Sequence, residues 1–157
     1  MRGRKPCKFV FGVALVLLVV GVMTSAALAD GTYHSTQIGL TPVSNAPLRT
    51  GFVENIHVNG PNVFAHENYV VNGGIPNTDL QVAISVWVGN TACTGDPSFT
   101  LATATLSTNV AGNGQAKHVF SPEDASGLHN TTDGAIWTLS ANGTAIYTSA
   151  CAVISLD

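Results

Sequence analysis

Positive charge is nearly absent from this sequence after residue 8. Four of its six basic residues lie within the first eight positions, and Arg49 and Lys117 are the two that follow. Nine acidic residues stand against those two, so residues 30–157 carry a formal charge of −7. Nucleic acids are bound through basic patches, and anionic membranes attract basic segments. The composition therefore argues against nucleic acid and against anionic lipid as partners.

Markers of catalysis and of metal binding are also missing. The sequence contains no CxxC pair, no HxH or HExxH spacing, and no GxSxG or SxxK motif. Glu123 and Asp124 are adjacent, so on a helical turn they point apart and suit the start of a helix better than acid–base catalysis. These absences predict a protein that is not an enzyme and that uses no cofactor and no metal.

Helical periodicity is lacking after residue 30, and alternation of period two dominates instead. The clearest strand is DLQVAISVWV, residues 79–88, in which every second side chain is apolar. Further candidate strands lie at 51–58, 62–71, 99–108, 115–120, 135–140 and 144–156. About seven short strands, separated by turn residues, favour an all-β antiparallel sandwich, with a small barrel as the alternative.

One long apolar run is present, and it lies near the start. Residues 9–23, FVFGVALVLLVVGVM, follow the basic MRGRKPCK and precede TSAALA. This pattern is typical of a secretory signal, with cleavage predicted between Ala29 and Asp30. The alternative is an uncleaved anchor, since about 20 apolar residues can span a bilayer. Either interpretation places the protein outside the cytoplasm, secreted or at the cell surface, and contact with a membrane is expected only if the signal is kept.

The chain is accordingly divided into three parts. Residues 1–29 form the signal, residues 30–50 an N-terminal arm or edge strand, and residues 51–157 a single β-sandwich domain. Cys93 and Cys151 remain after cleavage, and an even pair in an exported chain predicts one disulfide. Two free thiols in a metal or redox site are the alternative.

The stretch TATLSTNVAGNGQAKHVFSPEDASGL, residues 103–128, predicts a strand, a turn, a returning strand and a helical turn. The glycines of AGNG tolerate the backbone angles of a tight reversal. Ser121 is the expected N-cap, with Asp124 three residues later as its partner.

This stretch, NGGIPNTDLQV before it and the final strand ending in VISLD resemble small exported bacterial proteins of immunoglobulin-like or fibronectin type III-like form. The resemblance covers roughly residues 51–157 and implies an immunoglobulin-like sandwich of about seven strands. It supplies no catalytic residue. The sequence departs from the fibronectin pattern at Leu80, where a corner tyrosine would stand, and the spacing of its two cysteines differs from the usual immunoglobulin bridge.

The five histidines, at 34, 57, 66, 118 and 129, are the candidates for a copper or zinc site. His57 and His66 fall on consecutive strands and could face each other, with Glu67 and His118 as further ligands. Spacing this loose is more often that of ordinary polar or hydrogen-bonded histidines.

Aromatic residues are the candidates for contact with a partner. Trp87 lies opposite the apolar face of its strand and could be exposed, and Trp137, Tyr69 and Tyr147 could also stack on a sugar. The alternative is that all of them are core residues. The turns at 94–97 and 129–134 are rich in oxygen atoms but lack the alternating acids of a calcium loop. Asn130 and Asn142 begin glycosylation sequons that are equally plain turns.

The sequence therefore predicts a non-catalytic, exported binding or structural module whose partner is an unknown protein or carbohydrate. Trp87 and the loops at 59–62 and 89–98 are its candidate contacts. A copper- or zinc-binding secreted protein that uses His57 and His66 is the alternative, and a secreted hydrolase is the third hypothesis.

Overall fold

The computed structural model describes residues 33–58, 65–125, 127–128 and 130–156 of the chain. These residues form one helical turn, Pro122–Ala125, and nine β-strands: β1 Tyr33–Pro42, β2 Thr50–Val58, β3 Ala65–Asn72, β4 Asp79–Trp87, β5 Phe99–Ser107, β6 Gly114–Val119, β7 Thr131–Ala141, β8 Thr144–Ser149 and β9 Ala152–Leu156. The predicted signal peptide, 1–29, and its cleavage site between Ala29 and Asp30 lie outside the described residues. Within the described part, no helix is long and apolar enough to cross a bilayer.

The strands form one continuous antiparallel sheet that is nearly barrel-shaped. Its order is β5-β4-β7-β8-β1-β2-β3-β6, and β9 pairs with β7 beside this path. The two end strands, β5 and β6, are packed against each other and so bring the ends of the sheet together. The predicted all-β antiparallel class is therefore confirmed, with nine strands in the described residues where about seven were expected.

Strand β1 has a more central place than the predicted arm or edge strand at 30–50. Its residues 33–39 pair with β2, and its residues 40–42 pair with β8. The side chains of Ile38 and Leu40 are buried. The weak alternation of this segment hid the strand, because most of its other side chains are exposed.

The interior is built by alternate residues of the longer strands. β3 buries every second side chain, beginning with Ala65, and β4 does the same from Leu80 to Val86. Val88 was predicted on this buried face but lies beyond the end of β4 and is 40% exposed. Trp137 and Tyr69 are the largest fully buried side chains and occupy the centre of the interior.

The last predicted strand, 144–156, is divided in two. Thr138 of β7 pairs with Thr148 of β8, whereas Ala135 pairs with Ala152 of β9. The returning chain therefore contains one extra residue between these two pairs, which is the arrangement of a β-bulge. Ser149 fills the gap, because its hydroxyl accepts the hydrogen bond of the Trp137 backbone N–H at 3.0 Å.

The turns and the helix cap agree with the sequence analysis. Asn142 and Gly143 both have positive φ, as the two-residue β7–β8 hairpin requires. The backbone of Gly112 lies so close to Gly74 that a Cβ there would be 2.1 Å from the Gly74 carbonyl oxygen. The Ser121 hydroxyl accepts the Asp124 N–H at 3.2 Å, and the Asp124 carboxylate accepts the Ser121 N–H at 3.0 Å, which completes the predicted capping box.

The predicted disulfide between Cys93 and Cys151 is present. It ties the loop that follows β4 to the bulge that precedes β9. The same loop lies directly against β7, because a Cβ on Gly134 would be 2.5 Å from the Asn90 carbonyl oxygen. A covalent bond therefore fixes the loop to the edge of the sheet.

Tyr147 joins two connections at the opposite end of the barrel. Its buried phenol donates to the Pro47 carbonyl oxygen at 2.8 Å and accepts the Ile75 backbone N–H at 3.0 Å. The hydroxyl thus anchors the β1–β2 connection and the β3–β4 connection. A tyrosine corner of the fibronectin kind was in doubt at Leu80, and Tyr147 makes comparable backbone contacts from β8.

Removal of the disulfide should lower the stability of the fold substantially. The bridge spans a sequence separation of 58 residues, for which the chain-entropy relation gives about 4 kcal/mol. We expect Cys93→Ala/Cys151→Ala to lose that much unfolding free energy in urea titrations. A loss under about 1 kcal/mol would show that the bridge does not restrict the unfolded chain as this relation assumes.

Tyr147→Phe should destabilise the protein by about 1–3 kcal/mol, because the Ile75 N–H and the Pro47 carbonyl lose their partner. Thermal and urea unfolding measure this loss. Thr41→Val serves as a control, because the exposed Thr41 hydroxyl makes a single long contact of 3.2 Å. Equal effects of the two substitutions would contradict the anchoring role of Tyr147.

Candidate functional site

A carboxyl group lies at the centre of the barrel. Glu67, on β3, has no exposed surface. Its Oε1 accepts a hydrogen bond from the Asn55 amide at 2.9 Å, and its Oε2 accepts one from the Trp137 indole at 2.9 Å and one from the Tyr69 phenol at 2.5 Å. Burial raises the pKa of Glu67, and the three donors together with His118 act against that rise.

The Tyr69 phenol extends this cluster to a fourth strand. It lies 2.8 Å from the Thr103 hydroxyl of β5, which in turn contacts the Val82 carbonyl oxygen of β4 at 3.4 Å. Burial and the neighbouring Glu67 raise the pKa of Tyr69, so the phenol keeps its proton. Each of these side chains has a hydrogen-bond partner, so the cluster is a core network that holds the strands together.

The outer surface of the β2–β3–β6 region carries a different arrangement. Antiparallel partners share a face of the sheet. The register therefore aligns outward side chains in three rows that run across the strands, and we call each row a rank. A groove of about 580 Å³ lies over two of these ranks. We call it the outer groove, and its outward residues are Phe52, Glu54, Asn68, Val70, Gln115 and Lys117.

One outward rank, which lines the outer groove on β2, β3 and β6 and continues onto β1, is polar on all four strands. It runs from Gln37 on β1 through Glu54 and Asn68 to Lys117 on β6. The Asn68 amide donates to Glu54 Oε2 at 3.1 Å, and the Ser35 hydroxyl donates to Oε1 at 3.0 Å. These bonds fix the Glu54 carboxylate in place.

The next rank is apolar on two strands. Phe52 of β2 pairs with Val70 of β3, and Val70 pairs with Gln115 of β6. The half-buried Phe52 ring therefore lies beside the polar rank. A planar apolar surface next to fixed hydrogen-bonding groups can hold a ligand that has both kinds of surface.

The predicted histidine pair is not brought together. His66 pairs with Ile56, and His57 pairs with Ala65, so the two side chains point to opposite faces of the sheet. His57 stacks instead on His34, with ring centroids 5.3 Å apart. His118 shares the inner face with Glu67 and contacts Phe120 edge-on.

The remaining ligand candidates are dispersed as well. His129 lies outside the described residues. Within the described ranges, no group of three His, Cys, Asp or Glu side chains is placed to hold a metal ion. Asn130 and Asn142 have positive φ, as turn residues often do.

The aromatic residues named as partner contacts are buried. Trp87 is 8% exposed, and its indole N–H donates to the Gly95 carbonyl oxygen at 3.0 Å. Of the two alternatives for Trp87, exposure on the sheet is wrong and burial is confirmed, because the loop after β4 folds over it. Tyr69, Trp137 and Tyr147 are fully buried.

The candidate loop at 89–98 is held in place at both ends. Cys93 is bonded to Cys151, and the Gly89 N–H donates to the buried Asp133 carboxylate at 2.7 Å. The other candidate loop, 59–62, lies outside the described residues. The loop at 89–98 is therefore a firm cover for Trp87.

Sequence reasoning missed Phe52, Glu54 and Asn68 as a group. Each is an ordinary strand residue, and their positions on one surface follow from the register of β2 and β3. Alternation alone could have placed each on the outward face of its own strand, and a correct hairpin register would have aligned them.

No family model, curated protein or solved structure matches this chain. The function is therefore argued from the geometry of its surfaces.

Glu67→Gln should change how stability depends on pH. Because the pKa of Glu67 is raised above its ordinary value of 4.5, the folded state binds the proton more tightly than the unfolded state. That contribution is fully present below pH 4.5 and is lost as the pH rises through the folded pKa. Urea unfolding at a series of pH values should show the wild type losing stability relative to Glu67→Gln as the pH rises.

The two proteins share every other ionisable group, so the difference between the two curves isolates the effect of Glu67. A difference that does not change with pH would mean that Glu67 has no raised pKa in the folded state.

Proposed function

We propose that this chain is a non-catalytic, exported binding module that holds a saccharide in the outer groove. The observation that carries the proposal is the polar rank Gln37, Glu54, Asn68 and Lys117, which crosses four strands beside Phe52. The saccharide interpretation selects one of the two partners, protein or carbohydrate, that the sequence left open.

A saccharide matches the chemistry of this rank. Each sugar hydroxyl is a donor and an acceptor, and the rank offers acceptors on Glu54, donors on Lys117 and both on the amides of Gln37 and Asn68. The apolar C–H face of a sugar ring is complementary to the Phe52 ring.

Lys117 adds a positively charged hydrogen-bond donor to the outer groove. It is one of two basic residues after residue 8, and it makes no ion pair within the part of the chain that the structure describes. Lys117 pairs with Asn68 and lines the outer groove, and its ammonium group has donors for a ligand oxygen.

A protein partner suits the outer groove less well. A standard protein interface buries about 800 Å² on each side and is anchored by aromatic residues in desolvated pockets. The outer groove offers one half-buried aromatic ring among amides and single charges. Its size and polarity fit a few sugar units better than a protein surface.

The scaffold supports binding by a preformed surface. The groove lies on three adjacent strands, and its carboxylate is already oriented by Ser35 and Asn68. Preorganisation lowers the entropy that a ligand must lose. Both oxygens of Glu54 are engaged, which suits recognition better than proton transfer.

We also propose that the protein is exported and that it has an immunoglobulin-like fold. The signal-like residues 1–29 and the disulfide are consistent with a secreted or cell-surface protein, and contact with a membrane is expected only if the signal is retained as an anchor. The change of β1 from β2 to β8 at Leu40 would divide the sheet into the two layers of an immunoglobulin-like sandwich, and this division remains a prediction.

Calorimetric titration of the exported protein with soluble gluco-, manno-, galacto- and chito-oligosaccharides tests the proposal. We expect at least one series to bind and to perturb the amide NMR signals of β2, β3 and β6. Asn68→Ala should weaken binding about tenfold, since a hydrogen bond contributes roughly 1–1.5 kcal/mol. Phe52→Ala should weaken it by a similar factor through loss of stacking.

Gln81→Ala is the matched control, because Gln81 is an exposed amide on β4, outside the groove, that likewise takes part in one side-chain hydrogen bond, accepting from Thr105. Its binding should equal that of the wild type. Absence of binding across all four sugar series, or equal losses in Asn68→Ala and Gln81→Ala, would contradict the outer groove as a saccharide site.

A further inference from the structure

A second cavity lies beneath β5 and β6, the two end strands of the sheet, where they approach each other. It has a volume of about 30 Å³ and extends from the exposed Asp124 to the fully buried Glu67. We call it the seam cavity, and it lies on the inner face, whereas the outer groove lies on the outer face of the sheet. It therefore does not depend on the saccharide proposal.

The seam cavity exists because β5 and β6 are close at one end only. Near their connecting turn a Cβ on Gly114 would lie 2.5 Å from the Ser107 carbonyl oxygen, so no space remains there. At the other end, Phe99 and Leu101 of β5 and Phe120 after β6 line the cavity. No ladder pairing joins β5 and β6 in the described residues.

The walls are apolar and the base is polar. Ile84 and Val86 form the inner wall, and Phe99, 36% exposed, lies at the rim. Asn55 and Glu67 form the base. A few polar groups at the end of an apolar cavity can fix the orientation of a group that enters it.

The base has an unused acceptor position. Glu67 Oε2 receives hydrogen bonds from Tyr69 and Trp137, whereas Oε1 receives one from Asn55 among the described residues. A carboxyl oxygen can accept two hydrogen bonds. A hydroxyl that reaches the base could therefore donate to Oε1.

The volume limits the size of the group that enters. About 10–15 Å³ is needed for one water molecule, so a cavity of about 30 Å³ holds two. A terminal CH₂OH group has that size, and a sugar ring does not.

The acidic side chains of the cavity and its apolar walls disfavour ligands that end in a charged group. Asp124 lies at the entrance and Glu67 at the base, so a carboxylate ligand would meet two acidic side chains. A charged amine would lose its hydration in an apolar channel, which is costly. A neutral hydroxyl avoids both costs.

We propose that the seam cavity binds a small aliphatic primary alcohol. The CH₂OH group enters the cavity and its hydroxyl donates to Glu67 Oε1, and the rest of the alkyl chain passes Phe99 at the rim and lies outside the cavity. The ligand class is a neutral, unbranched chain with one terminal hydroxyl group.

The test is an amide NMR titration of the exported protein with 1-hexanol, and with hexanoate and hexylamine as charged analogues. We expect saturable shifts centred on Asn55, Glu67 and Leu101 with 1-hexanol, and at least tenfold weaker binding of both analogues. Shifts that do not saturate, or shifts confined to other surfaces, would overturn the proposal. Equal or tighter binding of hexanoate would overturn it as well.

Phe99→Asp places a charge at the rim without disturbing a fully buried position, and it should weaken 1-hexanol binding at least tenfold. Val153→Asp is the matched control, because Val153 is a 56% exposed apolar residue that does not line the cavity. Its affinity should be unchanged. Unaltered binding to a folded Phe99→Asp variant would also exclude the seam cavity as the site.

Discussion

A carboxyl group in the interior of a β-sheet protein is costly unless hydrogen-bond donors are placed around it. Glu67 meets this condition through donors that come from three strands, Asn55 on β2, Tyr69 on β3 and Trp137 on β7. The Trp137 contact links residues 70 positions apart in the chain. Because these donors are themselves buried, each depends on the carboxyl as much as the carboxyl depends on them. The network therefore fixes which strands lie opposite one another, and the positions of the outer groove and the seam cavity follow from that arrangement.

Much of the strand pattern could be predicted from alternation. The segment 79–88 is recognisable as a strand because its inner face is uniformly apolar, and the structure places β4 there. The turn at Asn142-Gly143 and the cap at Ser121 follow from local chemistry, which is independent of the rest of the chain. The disulfide followed from the number of cysteines left after residue 29.

The register and the facing of paired strands were harder to predict from the sequence. Whether His57 faces His66 depends on register, and a shift of one residue reverses the face of every side chain. Trp87 lies on the expected side of β4, yet the loop that covers it approaches through backbone contacts at Gly134 and Gly95 that leave no periodic signal. In the sequence Glu67 was only a neighbour of His66, because two of its three donors, Asn55 and Trp137, are distant in the chain. The pairing of strands that are distant in the chain thus determines where the outer groove and the seam cavity lie.

The place of β1 between β2 and β8 has a consequence for how the chain acquires its structure. Leu40 pairs with Ser149, so the second half of β1 has no partner until nearly the whole chain is available. Contacts of such long sequence separation slow folding, since a large loop must close before they form. Until the C-terminal strands are available, the edge of β1 at Leu40 therefore stays unpaired. An unpaired strand edge can associate with other chains, so the late pairing of β1 with β8 is what closes this edge of the sheet.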